Sequence, residues 1–175
     1  MFSRLVTKLK KLRADINSEC YILGNGPSLK ENVLNDLDLL KTKELFVVND
    51  FAKSKYFETL KPKYYVLLDP CYWSTDYYKE FLDESIVTMN KIRDTVAWTM
   101  FLIVPNEAYK SSLIQNIFST NKNIKIINFN ATSVNGFQWF NFFTYTKYLG
   151  IPPVNNVVGA CIYIAINMQY DKISI

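Results

Sequence analysis

The sequence predicts an α/β protein with a Rossmann-like, doubly wound and mostly parallel sheet of about six strands. Short β-rich runs alternate with longer stretches of helical periodicity. The runs are mostly apolar rather than alternating, as is typical of parallel strands covered on both faces. With 49% hydrophobic and 21% charged residues, the composition is that of a folded globular protein.

The first predicted element is a helix at the N-terminus. Apolar residues recur every three or four positions from Phe2 to Ile16, with lysines and arginines between them, which indicates an amphipathic helix. Such a helix can lie on an anionic membrane surface, or it can pack on the domain with its charged face in water. We favour the second interpretation. Residues 1–18 are therefore treated as a basic leader and residues 19–175 as the folded domain.

The remaining elements follow in βαβ order. Strands are predicted at residues 20–23, 44–48, 64–68, 98–104, 124–127 and 172–175. Helices are predicted at residues 29–40, 75–94, 106–118 and 154–169, with a shorter element at 51–59. Because the sequence stops on an apolar strand, we expect more chain to follow Ile175 and to reach the carboxyl edge of the sheet.

Several classes of function are excluded by the charge, the cysteine content and the lack of histidine. Residues 1–20 hold five cations against Asp15 and Glu19, so the rest of the chain is near neutral and offers no basic face for nucleic acid. Three isolated cysteines, with no CxxC spacing, indicate a reducing and cytoplasmic setting without a disulfide framework. Without histidine, a Ser-His-Asp triad or a His metal site is excluded for the residues present.

One turn carries the clearest chemical signal. The run Gly24-Asn25-Gly26-Pro27-Ser28 lies between the first strand and the next helix, and Ser28 with Glu31 has the S-x-x-E spacing of a capping box. We expect both glycines to permit positive φ and close approach of a ligand. Free N–H groups and the positive dipole end of a helix suit a phosphate. The run is neither a Walker loop nor a complete dinucleotide fingerprint.

Polar residues also end the next two strands, at Asn49-Asp50 and at Asp69-Pro70. Since the carboxyl ends of parallel strands meet at one edge of a sheet, we expect these side chains to form a crevice beside the glycine loop. Asp69 has an alternative interpretation as a turn-forming residue.

The run Gly24 to Lys30 resembles the opening motif of the bacterial sialyltransferases of glycosyltransferase family 42. It is also similar to related uncharacterised domains grouped with 6-hydroxymethylpterin diphosphokinase-like proteins. The segment 155–175 is similar to a later helix and strand of the family, in which a polar turn opens a small-residue helix. The resemblance spans residues 19–175 loosely, and its specific parts are these two ends and the strand before Asn49.

The resemblance implies a set of binding residues. Gly24, Asn25, Gly26 and Ser28 would hold the phosphate or ribose of a sugar nucleotide, and Asn49 would do similar work. Asn155 and Asn156 would form the turn that meets the nucleotide. Asp69 stands where the sialyltransferases have asparagine, and a carboxylate repels phosphate unless it accepts a sugar hydroxyl or binds a metal. The family's histidine base has no counterpart here, so the catalytic residues stay unknown.

The first functional hypothesis is therefore a sugar-nucleotide-dependent glycosyltransferase in bacterial surface-polysaccharide or lipo-oligosaccharide synthesis. It would use a CMP-sugar donor resembling CMP-sialic acid, a glycan acceptor and no metal. It would be cytoplasmic, with the inner face of the membrane as an alternative location through residues 1–16. The rival hypotheses are a pterin-type diphosphokinase, with Asp50 and Asp69 at magnesium, and a non-catalytic nucleotide-binding module.

The aromatic segment 137–148 leaves two interpretations open. It holds seven rings, at Phe137, Trp139, Phe140, Phe142, Phe143, Tyr145 and Tyr148. They predict either a lid or acceptor platform that stacks on sugars, or a helix buried on the sheet or in the interface of a homo-oligomer. We favour the buried helix.

Overall fold

The structure is a computed structural model that describes residues 12, 18–24, 26, 36–74 and 79–175. Its strands form one six-stranded sheet in the order β5-β4-β3-β2-β1-β6, and every pair is parallel. The strands are β1 (Glu19–Leu23), β2 (Glu44–Val48), β3 (Tyr64–Val66), β4 (Met100–Pro105), β5 (Ile124–Phe129) and β6 (Lys172–Ser174). The predicted α/β class with a Rossmann-like parallel sheet is confirmed.

Helices connect the strands. Residues 36–40 (α1) precede β2, and the 3₁₀ turn Asn49–Lys53 with α2 (Phe57–Leu60) precedes β3. The 3₁₀ turn Pro70–Tyr72 and α3 (Lys79–Thr95) lead to β4, and α4 (Asn106–Lys110) with α5 (Ser112–Phe118) leads to β5. Helices α6 (Gln138–Thr146) and α7 (Val157–Asn167) then return the chain to β6.

The strand order divides the helices between two faces of the sheet. From β1 to β5 each strand is added on the same side of the previous one, so right-handed crossovers put α1 to α5 on one face. The return from β5 to β6 reverses direction and puts α7 on the other. The core follows this division: Leu45 and Val47 pack with the α3 side chains, whereas Phe46 and Val48 pack with α7. We call these the first and the second face.

A buried aromatic stack lies under the second face. Phe46 and Tyr64 stack with ring centroids 4.4 Å apart, and Tyr64 also stacks on Phe101 at 5.8 Å. The Tyr64 hydroxyl donates to the Leu12 carbonyl at 3.0 Å, and the Tyr170 hydroxyl donates to the Glu44 carboxylate. The hydroxyls of these two buried tyrosines thereby have the hydrogen-bond partners that burial requires.

Most element boundaries lie within a few residues of the prediction, but the predicted helix 106–118 is two helices. Ser111 adopts an extended conformation, with φ −67° and ψ 129°. It is both the C-cap of α4 and the N-cap of α5. The predicted element 51–59 is a 3₁₀ turn followed by α2, because Ser54 is also extended. The predicted leader helix lies outside the described residues, apart from Leu12 and Ser18.

The part of this prediction that buries the aromatic helix on the sheet is wrong, whereas burial in the interface of a homo-oligomer stays a prediction. Helix α6 forms, but five of its rings face outward, at Phe137, Trp139, Phe140, Phe142 and Phe143. On the side of α6 that faces the domain, Thr144 is buried and Tyr145 is half-buried. Tyr148 is buried just after the helix ends. Too little of the helix circumference touches the domain to cover so many rings.

Cys20, Cys71 and Cys161 are free thiols, as the cysteine spacing predicts. Across the described ranges, we find no helix with both the length and the apolar character needed to cross a bilayer.

Glu19 joins β1 to both neighbouring strands at their amino ends. Its carboxylate forms ion pairs with Lys43, before β2, at 2.7 Å and with Lys172, in β6, at 2.6 Å. Hydrogen bonds from Lys172 and Lys43 lower the pKa of the Glu19 carboxyl from 4.5 to about 2.

Glu19→Gln tests this clamp. A lowered folded-state pKa stabilises the protein above the unfolded pKa, and the stabilisation is lost as the pH falls through the folded pKa. We expect the variant to have a lower urea midpoint at pH 7, and the difference from the native chain to shrink between pH 4.5 and about 2. Glu58→Gln, at an exposed pair with Lys91, is the control and changes little. Equal midpoints for native and Glu19→Gln protein at pH 7 would contradict the clamp.

Candidate functional site

The predicted glycine loop begins where β1 ends, next to the start of α7. A Cβ built on Gly24 would lie 3.5 Å from the Cγ2 of Val158, in the first turn of α7. Because β1 lies between β2 and β6, this is the point where the strand order reverses. Ligands of open α/β sheets bind outside the carboxyl ends of the strands at such a switch point. Gly24 thus lies against the first turn of α7, which follows Asn155 and Asn156 in the chain.

Gly24 does not adopt the positive φ that a glycine permits: its φ angle lies outside the left-handed region. A Cβ at position 24 would make ordinary van der Waals contact with Val158 at 3.5 Å, so a small side chain would fit there. Gly26 is exposed, and Asn25 and Ser28 lie outside the described residues.

Asn156 has a structural task that the sequence analysis did not assign to it. It is the N-cap of α7, with φ −156° and ψ 170°, and its Oδ1 accepts from the Gly159 N–H at 3.0 Å. A Cβ at Gly159 would lie 3.0 Å from Cγ1 of Val154, so a larger residue there would have to displace that side chain by a few tenths of an ångström. Asn155 and Asn156 are both exposed. The cap fixes the first turn of an eleven-residue helix, whose N-terminus favours negative charge.

Asn49 ends β2 in a strained conformation. Its φ is 46°, in the left-handed region that asparagine tolerates better than most residues. Its carbonyl accepts a hydrogen bond from the Tyr65 hydroxyl, which in turn accepts from the Ala52 N–H at 3.0 Å. Its side-chain Oδ1 is buried and has no hydrogen-bond partner among the described residues. An unsatisfied buried acceptor is costly, so this amide oxygen is available to a donor group.

Tyr65 holds this turn and was missed by the sequence analysis. The ring is fully buried on the first face, and burial raises the pKa of its hydroxyl well above the usual range. The hydroxyl therefore stays protonated and can donate to Asn49 while it accepts from Ala52. No local sequence pattern distinguishes this tyrosine from an ordinary core residue of a strand.

A cavity of about 330 Å³ opens beside Asn49, between the two 3₁₀ turns and α3. It brings together Asn49 and Asp69, as the ends of neighbouring strands predicted. Every charged side chain described in its wall is a carboxylate. The lining residues are Asn49, Asp50, Asp69, Pro70, Cys71, Tyr72, Phe81, Glu84 and Ser85.

The carboxylates differ in their surroundings. Asp50 accepts from the Thr88 hydroxyl and pairs with Lys53 at 3.1 Å, so its position is fixed by α3 and by its own turn. Asp69 and Glu84 are exposed at the cavity wall. These groups accept hydrogen bonds and donate none when ionised, so the cavity suits hydroxyl or amino donors better than a phosphate.

Cys71 lines the cavity but is not an activated nucleophile. Burial raises the pKa of its thiol, with nearby Asp69 and Asp50 adding to the shift. A thiol that stays protonated is a poor nucleophile. Within the described parts of the chain, no three histidine, cysteine or acidic side chains are grouped closely enough to hold a metal ion.

Comparison of the sequence with protein-family models gave no match, and a search of curated proteins gave none either.

Tyr65→Phe tests how Asn49 is held. Removing the hydroxyl leaves the Asn49 carbonyl and the buried Ala52 N–H without their partner, so we expect the free energy of unfolding to fall by about 1–3 kcal/mol. Urea denaturation measures the loss. Tyr21→Phe, at a half-buried tyrosine whose ring is approached by Lys43, is the matched control and costs less. Equal losses in the two variants would show that the hydroxyl does not hold the turn.

Proposed function

We propose that the chain is a sugar-nucleotide-binding domain of a glycosyltransferase resembling the bacterial sialyltransferases, working in surface-polysaccharide or lipo-oligosaccharide synthesis at the cytoplasmic face of the membrane. The observation that carries the proposal is the packing of Gly24 against the first turn of α7 at the point where the strand order reverses. A glycine loop and a helix N-terminus converge there, and both favour a phosphate.

The proposal gives each part of the site a task. Loop N–H groups around residues 24–28 and the N-terminus of α7 hold the donor phosphate, which is the leaving group. The Asn49 amide, whose Oδ1 has no partner among residues 18–24, 26, 36–74 and 79–175 or Leu12, accepts from the ribose or the base. Asp69 and Glu84 in the cavity wall accept sugar hydroxyls. The acceleration would come from positioning and from stabilising the leaving group.

The proposal names no general base, since the sequence contains no histidine. The diphosphokinase alternative needs carboxylates that hold magnesium. Asp50 is already engaged by Lys53 and Thr88, and the described residues provide no cluster of three ligands, so that alternative gains no support.

Calorimetric titration of the full chain with CMP in the presence of EDTA tests the proposal. We expect saturable binding without metal, and weaker binding for two variants. Asn49→Gly removes the amide while glycine keeps the φ of 46° without strain. Losing one hydrogen bond weakens CMP binding about 2- to 10-fold. Asn25→Ala is expected to weaken it as well.

The matched control is Gln169→Gly. Gln169 has a φ of 65° and is exposed, but it follows α7 at the opposite end of the sheet, so its replacement leaves CMP affinity unchanged. Binding of ATP with magnesium in place of CMP would favour the diphosphokinase, and binding of neither nucleotide would overturn the nucleotide site. Unchanged CMP affinity in Asn25→Ala would remove the glycine loop from it.

Asp69→Asn separates two effects of the carboxylate. With CMP alone, removing the Asp69 charge should tighten binding, by on the order of threefold for two unit charges about 6 Å apart in water-like surroundings. With a CMP-sugar, the variant loses a charged acceptor for a sugar hydroxyl, and affinity falls instead. Titration of both ligands measures the contrast. Equal changes for CMP and the CMP-sugar would show that Asp69 does not contact the sugar.

A further inference from the structure

The cavity beside Asn49 presents hydrogen-bond acceptors to whatever it holds. Three carboxylates line it, at Asp50, Asp69 and Glu84. The Asn49 amide lines it as well, and its buried Oδ1 has no partner within the described ranges. A buried acceptor without a donor is costly, so a ligand that brings donors to this wall is favoured. At about 330 Å³, the cavity has the volume of a small-molecule site.

The hydroxyl donors of the wall are already engaged within the protein. The Ser85 hydroxyl donates to the Phe81 carbonyl at 2.9 Å. The Tyr72 hydroxyl donates to the Asp50 carboxylate at 3.5 Å. Both side chains are buried. Donors for the other two carboxylates of the wall must therefore come from the ligand or from water.

The negative charge of the wall is only partly balanced. Lys53 pairs with Asp50 at 3.1 Å. Asp69 and Glu84 are exposed, and neither forms an ion pair with any side chain that the structure describes. Two unbalanced carboxylates on one wall attract cations and repel anions.

An aromatic ring completes the wall. Phe81 lies on the same side of α3 as Glu84 and Ser85, three and four residues before them. Its side chain is 56% exposed, so the ring is accessible to a ligand. The face of an aromatic ring attracts a cation. The wall thus combines carboxylates with an open ring, and both of these features recognise an ammonium group.

We propose that the sugar held in this cavity carries a protonated amino group. This rests on the proposed function, because it names the class of sugar that the site beside the nucleotide takes. An ammonium supplies three donors and one positive charge, for which Asp69, Glu84 and the Asn49 Oδ1 are acceptors. A sugar that carries a carboxylate, such as sialic acid, fits poorly, because a unit charge about 4 Å away changes affinity about fivefold in water-like surroundings.

Calorimetric titration of the full chain with three sugars at pH 6.5 tests the charge preference. D-Glucosamine, N-acetylglucosamine and D-glucuronate are cationic, neutral and anionic at this pH, at which the carboxylates of the wall are ionised. We expect glucosamine to bind at least about tenfold more tightly than N-acetylglucosamine, and glucuronate to bind more weakly than either. Added salt should reduce the preference, since Asp69 and Glu84 are exposed.

Glu84→Gln removes one charge and keeps the length of the side chain. It should weaken glucosamine binding about fivefold, and the combination with Asp69→Asn about 25-fold, while N-acetylglucosamine binding changes little. Asp83→Asn is the matched control. It removes an exposed carboxylate one residue before Glu84 on α3 but outside the cavity wall, so it should have a smaller effect on glucosamine. Urea denaturation checks that each variant is folded.

Three results would overturn the proposal: no binding of glucosamine, equal affinities for glucosamine and N-acetylglucosamine, or an unchanged preference in Glu84→Gln. These titrations contain no nucleotide, so their outcome is separate from that of the CMP titration. A chain that binds CMP but does not prefer the amine keeps the nucleotide site and loses the amino sugar. A chain that prefers the amine but does not bind CMP keeps the amine site and overturns the proposed function.

A CMP-linked amino sugar distinguishes the two possible sources of the amine. If it excludes free glucosamine from the cavity, the amine belongs to the donor. If both bind together and glucosamine keeps its preference over N-acetylglucosamine, the amine belongs to the acceptor.

Discussion

The pairing of β6 with β1 is the constraint on which the rest of the structure depends. It reverses the direction in which strands are added, and this reversal sends α7 across the second face and brings its first turn against Gly24. At the amino ends of the same strands, Glu19 joins β1 to Lys43 and to Lys172. The ionic clamp lies at one edge of the sheet and the candidate site at the other, so the groups that fix the topology do not compete with a ligand.

At the end of β2, the structure holds the polar residue Asn49 in a conformation that costs stability. The Asn49 backbone is strained at a φ of 46°, and its buried Oδ1 has no partner in the part of the chain that the structure describes. Such a conformation persists only when its surroundings impose it. Here the constraint comes from the Tyr65 hydroxyl, which bonds to the backbone on both sides of the turn. The hydrogen bonds that hold Asn49 in this conformation therefore come from a buried tyrosine of the neighbouring strand, β3.

The strands were predictable because their runs are mostly apolar rather than alternating, and burial on both faces is a strong constraint that a parallel sheet places on sequence. The meeting of Asn49 and Asp69 was predictable for a related reason, since parallel strands end at one edge. The position of Glu84 in the cavity wall was not predictable, because it depends on how α3 crosses the sheet. The role of Tyr65 was not predictable either, because in the sequence a tyrosine whose hydroxyl fixes a turn looks like any other core tyrosine.

The aromatic segment shows where pattern reasoning fails physically. Ring content measures how much apolar surface is present but not which part of it the fold covers. In α6 the rings surround the helix, and only the side of Thr144 and Tyr145 meets the domain. The break at Ser111 was equally invisible, since serine neither forces nor forbids an extended conformation. Asn25 and Ser28, by contrast, lie outside the described residues, so their roles stay predictions.

The acidic residues are divided between the two faces of the sheet. The carboxylates of the cavity, Asp50, Asp69 and Glu84, belong to the segment that builds the first face, and α3 forms one of its walls. The acid-free stretch from 108 to 170 contains α6 and α7, which cover the second face. A donor phosphate at the N-terminus of α7 would thus meet no carboxylate of that stretch, while the carboxylates that would accept sugar hydroxyls belong to the other face.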